Sequence, residues 1–100
     1  MKTHKKLTAA GIINLLRKHK ETLSKYRVKR IGLFGSYLHP NTSHRRDIDL
    51  LIEFDQVSFD NYMDLKLFLE RLFNRKVDLV MSDVLKPRLR TYILSEVKYA

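Results

Sequence analysis

The chain carries two aspartates, Asp47 and Asp49, at a spacing that suits metal-dependent chemistry. They come directly before the apolar run Leu50-Leu51-Ile52. Because this run does not alternate between apolar and polar residues, it predicts a strand buried on both faces. Residues i and i+2 of a strand point to the same face, so the two carboxylates would stand side by side and repel each other. A cation relieves this repulsion, and Mg²⁺ prefers oxygen ligands while leaving positions for phosphate oxygens. The alternative is a strand end that carries two solvated acids.

A third acid, Asp78, interrupts the apolar run Val77 to Val80. A carboxylate among apolar strand residues is costly unless another group pairs with it. If this strand lies beside the one that follows Asp47, then Asp47, Asp49 and Asp78 can surround a metal ion. A nearby arginine or the following turn could stabilise Asp78 instead.

The pair Gly35-Ser36 comes directly after the run Val28 to Phe34, whose alternation predicts a strand. A glycine at a strand end lets the backbone approach a ligand closely. A short helix beginning at Ser36 would direct its N–H groups and dipole towards an anion, and the serine hydroxyl would add a donor. Gly-Ser pairs are also common in ordinary turns, so this one indicates a phosphate site only together with the aspartates.

The elements around these residues follow from the periodicity of the apolar positions. An apolar helical stripe from Ile12 to Leu23 follows Thr8, a predicted N-cap, and His19 within the stripe is interpreted as a packed residue rather than a ligand. We predict helices over 8–25, 58–74 and 89–99, the last just after Pro87, strands over 28–34, 47–54 and 76–80, and a loop over 38–46. This order predicts an α/β (α+β) fold: a small mixed sheet of three to four strands with helices packed on it.

Length and composition limit the class of protein. The 100 residues suit one compact domain, residues 1–100, in which residues 1–6 form a flexible basic N-terminus. The absence of cysteine excludes disulfides, thiolate metal sites and cysteine nucleophiles. No apolar run approaches the ~18 residues needed to span a bilayer, and no long apolar stretch follows the basic N-terminus. We therefore expect a cytoplasmic protein with no membrane partner.

The net charge of +9 is unevenly distributed. Residues 1–30 hold ten Lys and Arg and one acid, whereas residues 47–85 hold nine acids and four bases. A basic segment of this kind indicates a polyanion or an acidic protein partner, or else a solvated helix face that keeps the protein soluble.

Taken together, Gly35-Ser36, ten intervening residues and Asp47-Ile48-Asp49 resemble the signature of the DNA polymerase beta nucleotidyltransferase superfamily. The segments Arg30–Phe34, Leu50–Phe54 and Val77–Val80 also resemble that superfamily. Leu85–Arg90 and Glu96–Ala100 resemble the tail of one branch, the minimal nucleotidyltransferases, so the likeness extends over nearly the whole chain from about Leu7. The chain departs from that branch at Tyr37-Leu38-His39-Pro40, where an Ala-Arg-Gly sequence is common after the Gly-Ser-x, and at Arg46, where a serine is common.

The resemblance implies a nucleotidyltransferase fold and a division of roles. Asp47, Asp49 and Asp78 would be the catalytic and metal-binding residues, holding Mg²⁺, with two ions expected. Gly35 and Ser36 would bind the triphosphate of the substrate ATP, or another NTP. Attack on the α-phosphorus would release pyrophosphate, in a reaction that two metals can assist at both the attacking and leaving oxygens.

The resemblance also implies a partner. Members of this branch are commonly antitoxins paired with a HEPN-domain toxin, which implies AMP transfer to a tyrosine of that toxin. A chain of this length leaves no room for its own acceptor-binding domain, so recognition would require a partner or a homo-oligomer. Two alternatives stay open: a binding antitoxin without catalysis, and a nucleotidyltransferase acting on RNA or a small molecule, with nucleic acid the less favoured partner.

Overall fold

The computed structural model describes residues 7–39 and 47–100. The predicted flexible segment 1–6 and the departures at Pro40 and Arg46 lie outside these residues. In chain order the elements are α1 (Ala9–Lys18), α2 (Lys20–Lys25), β1 (Val28–Phe34), a 3-10 turn (Gly35–Leu38), β2 (Ile48–Phe54), α3 (Phe59–Phe73), β3 (Val77–Met81), a second 3-10 turn (Ser82–Val84), α4 (Pro87–Glu96) and β4 (Lys98–Tyr99).

The four strands form one mixed sheet in the order β3-β2-β1-β4. Strand β1 pairs antiparallel with β2 and with β4, whereas β2 and β3 run parallel. The parallel pair is connected by α3, as a parallel crossover requires. The mixed sheet of three to four strands expected from the sequence is therefore confirmed.

One face of the sheet, which we call the core face, packs against α1, α2 and α3. Leu50 and Ile52 of β2 and Leu33 of β1 have at most 1% exposure there, and the strands contribute alternate residues as the pleat requires. The three helices, the strands β1 to β3 and the turn after β1 complete this cluster with Ile12, Leu16, Leu23, Ile31, Tyr37, Ile48, Leu65, Leu69, Phe73, Val77 and Leu79.

The opposite face, which we call the α4 face, is covered by α4 and the segment after it. Leu51, the neighbour of Leu50, points to this side and is buried at 1% exposure, so β2 is buried on both faces as predicted. Ile93 is the buried residue that α4 contributes. Asp49 alternates with Leu50 and therefore also faces α4 rather than the core.

The predicted helix over 8–25 is interrupted at His19. Thr8 caps α1 as predicted, its hydroxyl accepting the N–H of Gly11 at 3.1 Å. At His19 the backbone N–H reaches the carbonyls of both Leu15 and Leu16, and the ring Nδ1 lies 2.9 Å from the Leu15 oxygen. The ring also packs against Phe68, with centroids 5.8 Å apart, which agrees with the predicted packed role.

The predicted helix over 89–99 is wrong at both ends. It begins at Pro87, which is the first helical residue, a favoured position for proline. It ends at Glu96, because Val97 is extended and Lys98-Tyr99 pair with β1 as β4. Gly32 permits this close approach, since a Cβ there would lie 2.6 Å from Cγ2 of Val97.

None of the helices within residues 7–39 and 47–100 combines the length and the apolar composition that crossing a bilayer requires.

Candidate active site

The parallel pairing of β2 and β3 brings two of the predicted aspartates together. Asp49 and Asp78 are direct partners in the register and point to the same face of the sheet. Burial, the negative charge of Asp78 and a hydrogen bond between the two carboxyls together raise the pKa of Asp49 from its ordinary value of 3.8 to about 6, and burial contributes most. The chemical centre of the α4 face is therefore a contact between two carboxyl groups, the half-buried one of Asp49 and the exposed one of Asp78.

Asp47 stands apart from this pair. It is exposed and lies just before β2, and its charge is the smallest of the influences that raise the pKa of Asp49. Within residues 7–39 and 47–100, no group of three or more His, Cys, Asp or Glu side chains is arranged to hold a metal ion. Of the three acids expected to surround a metal ion, Asp49 and Asp78 therefore form a pair, and Asp47 lies two residues before Asp49, just outside β2.

A pair of carboxylates still fits the chemistry of Mg²⁺. This ion is commonly held by one or two carboxylates together with substrate phosphates and water, rather than by a complete protein cage. The mutual repulsion between Asp49 and Asp78 is what a divalent cation would relieve. Asp78 is exposed, so solvent as well as Asp49 surrounds its carboxylate.

The turn after β1 brings Gly35 against the same carboxylate. Phe34, the last residue of β1, is the register partner of Asp49, so the turn begins beside that side chain. Gly35 has a φ of +80°, and a Cβ there would lie 2.1 Å from Oδ2 of Asp49. Both the backbone conformation and the lack of space require glycine.

Both N–H groups of the Gly35-Ser36 pair are directed to carboxylates. The Ser36 N–H donates to Asp49, which partly offsets the rise in the pKa of that residue. The Gly35 N–H donates to Oε2 of Glu96 at 3.2 Å. The expected anion-binding helix is a four-residue 3-10 turn. The N–H groups of Gly35 and Ser36 donate to the protein's own acids and are not available to a phosphate in this state.

Glu96, the last residue of α4, is a site residue that the sequence did not reveal. Its Oε1 lies 3.3 Å from Nε2 of His39, and its side chain is 19% exposed. His39 stands within the segment that departs from the family pattern, and Tyr37 in the same segment is buried, accepting a hydrogen bond from Nε of Arg75 at 3.1 Å. No local pattern could identify Glu96, because it meets Gly35 across 61 positions of sequence.

Asp49 and Asp78 line a cleft of about 380 Å³, which we call the Asp49–Asp78 cleft. Tyr62 and Lys66 of α3 line it beside the edge strand β3, and the Tyr62 hydroxyl donates to the carbonyl of Leu79. The remaining wall consists of Phe34, Val80, Leu85, Leu89 and Ile93. Lys66, which the sequence did not single out, brings a cation next to the carboxylates. The cleft thus combines an acidic pair, one cation and an apolar wall.

Comparison with known proteins gives consistent results. The family model described as Polymerase beta, Nucleotidyltransferase matches residues 17–99. Protein adenylyltransferase MntA of Thermococcus cleftensis is 36% identical over 95 residues, which cover 93% of this chain and 96% of that protein. A solved structure provisionally assigned as a minimal nucleotidyltransferase has a TM-score of 0.70 and 31% identity, covering 86% of this chain and 93% of that one.

A more distant likeness involves a complex. The solved structure of a tri-AMPylated Shewanella oneidensis HEPN toxin with an MNT antitoxin contains a chain that matches with a TM-score of 0.63 and 21% identity. The match covers 88% of this chain and 70% of that one. At this identity the likeness shows a shared fold.

Proposed function

Because the chain belongs to the polymerase beta nucleotidyltransferase family, we propose that it transfers AMP from ATP to a tyrosine hydroxyl of a HEPN-domain toxin. In this way the chain would act as the antitoxin of that toxin. The observation that carries the proposal is the contact between Asp49 and Asp78 beside the Gly35-Ser36 turn. A relative 36% identical over nearly the full length of both chains is named a protein adenylyltransferase. The toxin as acceptor is supported by the HEPN–MNT complex of similar fold.

In this proposal Asp47, Asp49 and Asp78 hold Mg²⁺. The ion, one or two per site, would supply positive charge to the triphosphate and to the leaving oxygen. The chain's own carboxylates contribute position: Asp49 and Asp78 come from neighbouring strands whose register fixes their separation. Most of the rate enhancement would come from alignment and charge neutralisation.

The triphosphate is proposed to bind at the Gly35-Ser36 turn, next to Lys66. Since the Gly35 N–H donates to Glu96 in the protein by itself, a phosphate oxygen would take the place of that carboxylate. The acceptor oxygen then forms a bond to the α-phosphorus, the bond to the bridging oxygen breaks, and pyrophosphate leaves. The hydroxyl proton passes to the carboxylate of Asp78. Such a toxin–antitoxin pair would act in the cytoplasm.

The test is a transfer assay with labelled ATP, Mg²⁺, this protein and the product of the neighbouring reading frame, which we expect to be a HEPN-domain protein, read by intact mass spectrometry. We expect an added AMP on the HEPN protein with the wild type and none with the Asp47→Asn/Asp49→Asn double variant. The double variant should remain folded, because removing carboxylate repulsion does not destabilise the protein without metal. Loss of folding in that variant would contradict the metal-site assignment.

One observation favours a second candidate, an antitoxin that neutralises its toxin by binding alone. Both N–H groups of the turn donate to carboxylates, Gly35 to Glu96 and Ser36 to Asp49. If these contacts persist with ATP present, the N–H groups of Gly35 and Ser36 cannot donate to the triphosphate. A stable complex with the HEPN protein, together with no labelling from any NTP, would support this candidate over the enzyme.

A further inference from the structure

The outer surface of α4 combines exposed apolar and basic residues next to the Asp49–Asp78 cleft. Val84, Leu89 and Tyr92 are 68%, 50% and 60% exposed, respectively. Single exposed apolar residues are common, but a cluster of large ones marks an interaction site more often than a solvated surface. Of α4 itself, only Ile93 is buried, so the helix presents most of its circumference to solvent.

The charged residues between positions 84 and 95 are all basic, and the exposed Asp83 lies beside Val84 at the edge of this surface. Lys86, Arg88 and Arg90 are exposed, and no acid occurs between residues 84 and 95. The first turn of α4 lacks an acid as well, although an acid there would stabilise the helix by its interaction with the helix dipole. A helix that only needed solubility would gain from mixed charges. A uniformly basic surface instead fits an acidic partner.

The surface is continuous with the site of chemistry. Leu89 lines the Asp49–Asp78 cleft and is also half exposed, so a partner that covers α4 touches the rim of that cleft. Leu85 lines the same wall one turn earlier. A molecule bound here would place its own groups within reach of Asp49 and Asp78.

We propose that this α4 surface is the docking surface for the protein acceptor; it is formed by Val84, Lys86, Arg88, Leu89, Arg90 and Tyr92. The acceptor presents to it an acidic patch with an apolar centre around the accepting hydroxyl. The inference rests on the proposed function, because it assigns the surface that selects the acceptor for the same cleft. Val84 and Leu89 offer neither aromatic stacking nor a phosphate contact, so this apolar part of the surface favours a protein over RNA. Tyr92 and the three cations could contact either ligand, and RNA is therefore one outcome of the test.

The chain offers a matched control at the other end of the sheet. Val57 is 59% exposed, close to the 60% of Tyr92, but it follows the far end of β2. Asp49 and Phe54 are separated by roughly 17 Å along the strand, at about 3.3 Å per residue. Acids flank Val57 at Asp55 and Asp60, so its surroundings have the opposite charge.

The experiment measures binding of the neighbouring-frame HEPN protein by calorimetry, and the KM for that protein and for ATP by mass spectrometry. Tyr92→Asp and Arg88→Glu should each weaken HEPN binding by at least about tenfold, because buried Tyr and Arg contacts dominate interfaces. The KM for ATP should stay unchanged. Val57→Asp should match the wild type in all three measurements, and circular dichroism verifies folding of each variant.

The outcomes separate this inference from the proposed function. If the wild type labels the HEPN protein and both α4 variants bind it normally, the docking surface is wrong and the activity stands. If the wild type binds without labelling and the variants lose binding, the activity is wrong and the surface stands. A wild type that does not bind the HEPN protein would overturn the surface. So would variants that bind the HEPN protein normally but lose binding to transfer RNA, measured by a gel-shift assay.

Discussion

Adjacent residues of β2 show how differently the two faces of the sheet are occupied. Leu50 has no exposed surface in the core face, where three helices cover the strands. Asp49 points to the α4 face, where it is half-buried beside the exposed Asp78, and burial together with the charge of Asp78 raises its pKa to about 6. The core face stabilises the fold, whereas the α4 face contains acidic repulsion, a glycine with positive φ and a thinly packed helix. A residue that stabilises the fold and a residue of the candidate site are therefore neighbours along one strand, because their side chains point to opposite faces of the sheet.

The largest effect is expected from the core face. Leu50→Ala should lower the free energy of unfolding by about 2–5 kcal/mol, because it removes buried methyl groups and leaves a cavity. Urea denaturation followed by circular dichroism measures this. Leu67→Ala, at a position 49% exposed on α3, should change the free energy by no more than about 0.5 kcal/mol. Equal losses in the two variants would mean that the core face is not the main source of stability.

The α4 face should respond in activity instead. Asp78→Asn is expected to reduce AMP transfer at least about 100-fold, or about 2.7 kcal/mol in the barrier, since it removes one carboxylate of the pair. Its free energy of unfolding at pH 7.5 should not fall. The transfer assay and urea denaturation of the same preparation test both statements. Full transfer by Asp78→Asn would leave Asp47 and Asp49 as the sufficient carboxylates.

The Gly35→Ala variant tests the close contact between the turn after β1 and the carboxylate of Asp49. We expect a loss of about 2 kcal/mol in stability, in part from the positive φ and in part from the contact of the new Cβ with Asp49. In the Asp49→Ala background the same change should cost only about 1 kcal/mol, because the carboxylate is absent. The double-mutant cycle is measured by urea denaturation. A full loss in both backgrounds would assign the whole effect to backbone conformation.

The pH dependence of stability should distinguish Asp49 from an ordinary surface acid. The folded protein binds the Asp49 proton more tightly than the unfolded chain does, because the pKa rises from 3.8 to about 6 on folding. The stability of the wild type relative to Asp49→Asn should therefore fall as the pH rises from about 4 to about 6, and should stay level above about 7. The full shift would correspond to about 3 kcal/mol, and solvent screening at this half-buried position reduces it to about 1 kcal/mol. A relative stability independent of pH, in metal-free buffer, would contradict the raised pKa of Asp49, and with it the burial of that carboxyl and its contact with Asp78.

The smallest effect concerns Glu96. Glu96→Ala removes the acceptor for the Gly35 N–H and should cost about 1 kcal/mol, whereas Glu96→Gln keeps an acceptor and should cost less. Thermal unfolding of both variants measures the difference. If glutamine and alanine are equally destabilising, the charge opposite His39 matters more than the hydrogen bond to Gly35.

Local patterns predicted most of the elements because their signals lie within short segments. The strand from Val28 to Phe34 was predicted with its observed bounds, and Thr8 was predicted as the cap of the first helix. The failures have non-local causes. The break at His19 depends on its ring, which binds the Leu15 carbonyl and packs on Phe68 from α3. Strand β4 exists because β1 has a free edge, and Gly32 allows Val97 and Tyr99 to lie across it.

The sequence by itself determined the chemical types and the alternation: acids two residues apart beside an apolar run, a glycine and a serine after a strand, and a third acid in another strand. Only the tertiary structure decided which of them meet. Strand order and register made Asp78, rather than Asp47, the contact of Asp49, and they brought Glu96 to the Gly35 N–H. The physical reason is range: side-chain alternation is fixed by neighbouring dihedral angles, whereas contacts between strands and helices depend on packing that involves the whole chain.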